Sequence, residues 1–196
     1  MINNTEAVKV IDSKRGNGVF VATMNANNVS FGLPTVTSNE KLDFPISGAM
    51  SKASSVALGL ALAQPQRKIM VLDGDGSLLM NLGSMVTVAT KAPANLYHFL
   101  FDNGVYAVTG GQPVPGTERA DWEIMAKGAG YAAVFNFDNL EDLTTGIDEV
   151  LASTGPVFIR LAVTPEIEST AVEDRPRPAR SVLTAFKELP EALKQG

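Results

Sequence analysis

The chain has 196 residues, of which 45% are hydrophobic, enough for one domain with a proper core. Its net charge of −5, with 16 basic residues scattered along the chain, excludes a nucleic-acid surface, because phosphate binding needs clustered Lys and Arg. The absence of cysteine excludes disulfides, zinc–thiolate sites and cysteine nucleophiles. The start, MINNTEAVKVIDSKRG, lacks the apolar core of a signal peptide, and no segment reaches an uncharged membrane-spanning length. A cytoplasmic protein with neither a membrane nor a nucleic-acid partner is expected.

Residues 4–15 place Ala7, Val8, Val10 and Ile11 on one face, which predicts a helix capped by Asn4 or Thr5 and stopped by Gly16. Residues 18–24 read as a strand buried on both faces. From Asn25 to Phe44 the chain is rich in Asn, Thr, Ser and Pro and lacks periodicity, so loops around one short helix are expected. A helix over 47–64, made of Ala, Ser, Gly and Leu, carries so little charge that it should be buried nearly all round; Pro65 stops it. A strong strand follows at 68–73, then a helix at 78–91 whose Met80, Leu82, Met85, Val86 and Val88 suit either the core or a partner chain.

The strand at 95–102 holds His98, the only histidine. Lying mid-strand among Leu96, Tyr97, Phe99 and Leu100, it reads as structural rather than as a general base. A Gly/Pro-rich loop over 104–119 precedes an amphipathic helix at 120–130 with Trp122 in the core. A strand at 132–137, a helix at 139–153 and a last strand at 156–163 complete the pattern. The polar stretch 164–179, with Glu166, Glu168, Glu173, Asp174, Arg175 and Arg177, reads with Arg180 as a solvated linker to a final helix at 181–194. This alternation predicts a single α/β domain over 1–196, with a mainly parallel sheet of about five or six strands and helices on both faces.

Two loops carry the chemistry. Asp73-Gly74-Asp75-Gly76-Ser77 and Asp102-Asn103-Gly104 both follow apolar strands, where an open parallel sheet presents its ligands. Asp75 and Asn103 offer hard oxygen donors suited to magnesium or calcium. Gly74 and Gly76 let the backbone approach a ligand closely, and Ser77 offers a hydroxyl and an N–H at a helix start, where anions are favoured. Taken singly, such Asp-Gly and Asn-Gly dipeptides are ordinary surface turns. Asn103, however, follows Asp75 by 28 positions, room for one helix and one strand, so both side chains return to the same sheet edge. A dinucleotide-binding reading is weaker, since Gly74-Asp75-Gly76 lacks the third glycine of that fingerprint.

The pair resembles the thiamin-diphosphate motif, a Gly-Asp-Gly followed at similar spacing by Asn-Asn. The resemblance implies a Mg²⁺ ion held by Asp75, Asn103 and the carbonyl of Val105, with Gly74, Gly76 and Ser77 at the cofactor diphosphate. Asp102 replaces the first Asn and adds negative charge. Upstream, the stretch from Gly48 to Ala63 is similar to the segment preceding this motif in sulfopyruvate and phosphonopyruvate decarboxylases. Met50 stands 25 positions before Asp75, where the resembled enzymes carry a large apolar side chain that wedges the cofactor into a bent form. The Gly48 carbonyl and the Met50 N–H then address the pyrimidine edge. A Met at this place also suits a core gap. Downstream, Thr109-Gly110-Gly111-Gln112-Pro113 resembles the same branch, while Ser51 and Lys52 depart from its pattern. Lys52 attracts an anionic substituent of the substrate if it points into the cleft, and otherwise stands exposed.

The resemblance implies the diphosphate-binding (beta) subunit of a thiamin-diphosphate-dependent 2-oxo acid decarboxylase. An alpha subunit is then expected to bring the pyrimidine-binding domain and its activating glutamate, in an α2β2 or larger assembly active only as such. The tail, 164–196, is expected to dock on that partner. The alternatives are a heteromeric thiamin-dependent carboligase or acyl-transferring enzyme, or a non-catalytic scaffold of the same fold.

Overall fold

The computed structural model describes residues 1–176 and 180–194. Arg177 and Pro178, in the basic approach to the last helix, lie outside the described residues. The chain runs α1 (Asn4–Ser13), β1 (Val19–Thr23), α2 (Leu33–Val36), β2 (Asp43–Ile46), α3 (Ala53–Ala63) and β3 (Ile69–Gly74). It continues through α4 (Asp75–Leu79), α5 (Gly83–Lys91), β4 (Leu96–Asp102), β5 (Val105–Tyr106), β6 (Gln112–Pro113) and α6 (Trp122–Ala129). It ends with β7 (Ala133–Phe137), α7 (Leu140–Ala152), β8 (Val157–Ala162) and α8 (Val182–Leu193).

Six strands form one parallel sheet in the order β2-β1-β3-β4-β8-β7, and β5 pairs antiparallel with β6 in a separate ribbon. The central strands are mainly apolar because helices cover both faces. Val19, Val21, Ile69 and Val71 pack towards α3, α5, α6 and α8, whereas Phe20, Ala22, Met70 and Leu72 pack towards α1, α2 and α7. The expected α/β fold is therefore present, with His98 and Trp122 buried as read from the sequence.

The sixth strand, β2, falls where only loops and one short helix were expected. It has four residues and contains Pro45, which a sheet tolerates because β2 is an edge strand. Helix α1 is capped by Asn3, whose Oδ1 accepts the Glu6 N–H at 3.1 Å, not by Asn4 or Thr5. Asn4 is instead buried, its carboxamide donating to the carbonyls of Asn25 and Phe31. Helix α3 starts six residues later than expected, because Gly48 (φ +72°) and Ser51 (φ +75°) adopt left-handed backbone that no helix admits. Nor is it buried all round: Leu62 is 53% exposed.

The single helix expected over 78–91 is two, with a turn at Met80–Leu82. Asn81 reaches out of that turn to the Ser51 carbonyl (3.4 Å), and Gly83 adds little helical preference across the break. Met85 and Val88 join the core, while Met80, Leu82 and Val86 face outward. The stretch after β8 is not a solvated linker in its first part. Asn25 donates to the Glu166 carbonyl, the Glu168 N–H donates to the Ala107 carbonyl at 2.9 Å, and Arg175 donates to Val108.

Beneath the surface Arg15 ties α1 to β2. Its side chain is 1% exposed, and its guanidinium lies 3.1 Å from Asp12 and 2.8 Å from Asp43 while also donating to the Gly18 carbonyl. Burial pushes the Asp43 carboxyl up from its usual range and Arg15 opposes that shift. Removing the cation leaves two buried carboxylates without it, so Arg15→Met should cost about 3–5 kcal/mol in denaturant unfolding at neutral pH. Because burial raises the proton affinity of Asp43 in the folded state, acidification favours folding of the variant, and its deficit relative to wild type should shrink as the pH is lowered.

Candidate active site

The chain leaves β1 outward to β2 and returns across β1 to β3, so the loops following β1 and β3 diverge from neighbouring strand ends. Between them opens a cleft of about 470 Å³, counted to the solvent. Its floor is Asp73–Ser77 after β3. Met24 and Asn25 after β1, Met50 before α3, and Asn103 with Val105–Thr109 after β4 form its walls. Seven expected site residues therefore meet here: Met50, Gly74, Asp75, Gly76, Ser77, Asn103 and Val105. Gly48 lies outside this cleft, in an adjoining chamber that shares Met24 and Val108 with it.

Asp75 holds the two loops together. Its Oδ1 accepts the Gly76 N–H at 2.8 Å and its Oδ2 accepts the Gly104 N–H at 2.7 Å, so one buried carboxylate spans the ends of β3 and β4. Burial raises its pKa to about 6; the two N–H groups pull it down, and the neighbouring Asp102 pushes it up. Asn103 Oδ1 accepts the Val105 N–H at 3.0 Å, an Asx-type turn that brings the Val105 backbone to the cleft wall. Among the described residues no three His, Cys, Asp or Glu side chains converge. A cation here would rest on one carboxylate, one carboxamide and a carbonyl, an all-oxygen set that suits Mg²⁺ and leaves positions for phosphate or water oxygens. A buried carboxylate with no cationic side chain paired to it among the described residues fits such an ion.

Ser77 Oγ accepts the Ser51 N–H at 3.0 Å, which pins the left-handed turn containing Met50 against α4. Because this segment is a turn and not a helix, the Gly48 carbonyl and the Met50 N–H have no backbone hydrogen-bond partner among the described residues. Gly74 and Gly76 differ in kind. A Cβ on Gly76 would sit 2.5 Å from Tyr106 Cε1 and 2.9 Å from Val114 Cγ2, whereas one on Gly74 would meet only Met24 Cβ at 3.9 Å. Gly76 thus admits the protein's own ring, and Gly74 leaves open space over the cleft floor.

Asp102 is compensated by Arg160, whose Nε donates to it at 2.6 Å from the adjacent strand β8. Sequence reading missed Arg160, although a lone cation in the apolar strand VFIRLA is a signal that an anion stands beside it. It also missed Met24, Asn25 and Tyr106; the first two follow β1 at the ligand-bearing edge and were readable from that position. Below the floor, Asp73 Oδ1 accepts the Gly74 N–H at 2.9 Å and its Oδ2 lies 3.4 Å from His98 Nε2. His98 Nδ1 meets the Tyr131 hydroxyl at 3.0 Å, and burial, with the Asp73 charge, drives the Tyr131 pKa up so that it stays protonated. Lys52 is exposed and does not line the cleft.

The family described as thiamine pyrophosphate enzyme, C-terminal TPP binding domain, matches residues 22–161. A phosphonopyruvate decarboxylase from Streptomyces hygroscopicus is 46% identical over 134 residues, covering 68% of this chain and 32% of that protein. A sulfopyruvate decarboxylase subunit beta from Methanothermobacter thermautotrophicus is 43% identical over 122 residues, 62% of each chain. The chain thus spans less than two thirds of the length of these relatives. In fold it is similar to 2-oxoglutarate:ferredoxin oxidoreductase from Magnetococcus marinus, with a TM-score of 0.63 and 17% identity over 87% of this chain and 66% of that one. No helix among the described residues is long and apolar enough to cross a membrane. With the matched span running from the end of β1 to β8 and enclosing both motif loops, this chain belongs to the thiamine pyrophosphate enzyme family as its C-terminal TPP-binding domain.

Proposed function

We propose that the chain is the diphosphate- and Mg²⁺-binding subunit of a thiamin-diphosphate-dependent 2-oxo acid decarboxylase. The observation that carries this reading is the meeting of Asp75, Asn103 and Val105 with Met50 around one cleft at the sheet's switch point. Asp75, the Asn103 carboxamide and the Val105 carbonyl hold Mg²⁺, and Gly74 with Ser77 lies along the diphosphate. Met50 supports the bend between the cofactor's rings, with the Gly48 carbonyl and Met50 N–H at the pyrimidine edge. Bound thiamin diphosphate supplies the electron sink for loss of carbon dioxide from a 2-oxo acid. The chain's part is to orient that cofactor and to keep water from the apolar wall formed by Met24, Met50 and Phe101.

A second chain, the alpha subunit, supplies the pyrimidine-side glutamate. None of the cleft-lining residues is a glutamate, and Glu168 in the adjoining chamber is engaged by the Thr170 N–H; apolar side chains stand exposed on the segment that follows the cleft floor, Met80 and Leu82 after α4 and Val86 on α5. Such a cluster on adjoining helices suits a partner surface. The relatives named as subunit beta support the same arrangement.

Calorimetric titration of thiamin diphosphate with Mg²⁺ into the chain, alone and with its partner, tests the reading. Binding that requires the partner, that chelation of Mg²⁺ abolishes and that Asp75→Ala weakens at least a hundredfold is expected; no heat in any combination would overturn it. The two glycines separate ligand space from packing. Gly74→Ala should leave thermal melting unchanged and weaken cofactor binding, whereas Gly76→Ala should lower stability by about 1–3 kcal/mol through displacement of Tyr106. The double variant Met80→Asp/Val86→Asp should melt like wild type yet elute apart from the partner in size-exclusion chromatography.

A further inference from the structure

Next to the cleft lies the chamber that holds Gly48, of about 650 Å³ counted to the solvent, with Met24 and Val108 lining both. Among apolar wall residues such as Val29 and Ile46, its polar groups are Asn27 and Asn28 after β1, Ser47 after β2, and Glu168 and Arg175 from the segment that follows β8. That segment is fastened to the cleft's own wall. The Glu168 N–H donates to the Ala107 carbonyl at 2.9 Å, and Arg175 Nη1 donates to the Val108 carbonyl at 3.1 Å. Arg175 Nε is anchored on the Thr170 carbonyl at 2.9 Å, so the guanidinium is fixed at two points while its Nη2 has no hydrogen-bond partner among the described residues. Arg175 is the only cationic side chain lining either the chamber or the cleft among the described residues.

The carboxylate in the same chamber is already engaged: Glu168 Oε1 accepts the Thr170 N–H at 2.9 Å. A planar, pre-positioned guanidinium with an unspent edge is suited to a carboxylate, sulfonate or phosphonate oxygen, and an ammonium on a flexible stem such as Lys52 is less so. We propose that Arg175 is a specificity-determining residue, selecting 2-oxo acids that carry a second anionic group by receiving that group in the chamber beyond Met24 and Val108. The inference rests on the decarboxylase reading for the identity of the substrate, but the recognition of a dianion by Arg175 can be measured without turnover.

Three variants and two readouts decide it. In the assembled enzyme loaded with thiamin diphosphate and Mg²⁺, kcat/KM is compared for 3-phosphonopyruvate, 3-sulfopyruvate and pyruvate. Arg175→Gln should lower the ratio of dianion to pyruvate turnover about tenfold or more, mainly through KM, because one charge-assisted contact is lost at a half-exposed site. Arg175→Lys should recover part of that ratio, and Glu168→Gln should raise it by removing a like charge. A merely structural role for Arg175 would slow all three substrates alike, and an unchanged ratio would overturn the proposal. Independently, calorimetric titration with 3-phosphonopropanoate, which lacks the reacting oxo group, should show binding that Arg175→Gln weakens by a similar factor. Should the enzyme turn over none of the acids while this binding persists and depends on Arg175, the decarboxylase reading fails and the anion site stands. Turnover of dianions with no dependence on Arg175 in either readout gives the reverse.

Discussion

One carboxylate joins the two halves of the cleft. Asp75 accepts an N–H from its own turn and one from the turn after β4, so the ends of two adjacent parallel strands share a single acceptor. Everything that lines the floor and one wall depends on that bridge: the Asn103 turn is held one residue from Gly104, and the Val105 backbone follows from it. The bridge asks a buried acid to stay charged, against a burial penalty and beside the negative Asp102. Arg160 carries part of that electrostatic load by pairing with Asp102 from β8. The cleft is thus built to be completed by a cation, and its donors are oxygens of the kind that hard divalent ions prefer.

The sheet explains why so much polarity can collect at one edge. Its central strands are covered on both faces and are mainly apolar along their length, so polar groups are displaced to the strand ends, where turn backbone and solvent can satisfy them. Asp73 and His98 are buried exceptions on the central strands β3 and β4. They lie on adjacent strands two positions out of register, His98 opposite Val71 and Asp73 opposite Leu100, with the Tyr131 hydroxyl completing the chain of contacts beneath the cleft floor. This array fixes the backbone from which Gly74 and Asp75 emerge, since Asp73 also accepts the Gly74 N–H.

Backbone irregularity does the remaining shaping. The left-handed residues Gly48 and Ser51 stop α3 from extending upstream, and Ser51 keeps that conformation, which costs a non-glycine residue roughly 1–2 kcal/mol, through its bond to Ser77 and the contact from Asn81. The consequence is a stretch around Met50 with polar backbone groups not consumed by a helix. On the opposite side the segment after β8 folds back on Ala107 and Val108, so residues far apart in sequence line the cleft and the chamber beside it.

The amino-acid sequence alone determined the parallel α/β architecture, because strands buried on two faces must be continuously apolar and the helices between them periodic. It also pointed to the pair Asp75 and Asn103, because dipeptides that are ordinary turns when taken singly stand here at the ends of two apolar strands with a spacing that returns both to one edge. Tertiary structure decided what short-range pattern cannot encode. Edge strand β2 exists through pairing with β1, since four residues with a proline have no strand signal of their own. The turn at Met80–Leu82 and the late start of α3 exist through Asn81 and Ser77 bonding across to Ser51, against a local preference for helix. Arg160 and Arg175 gained their places from partners 58 and 67 positions away, Asp102 and the Val108 carbonyl. Long-range hydrogen bonds and ion pairs of this kind leave no period in the sequence, and only the folded chain brings their partners into view.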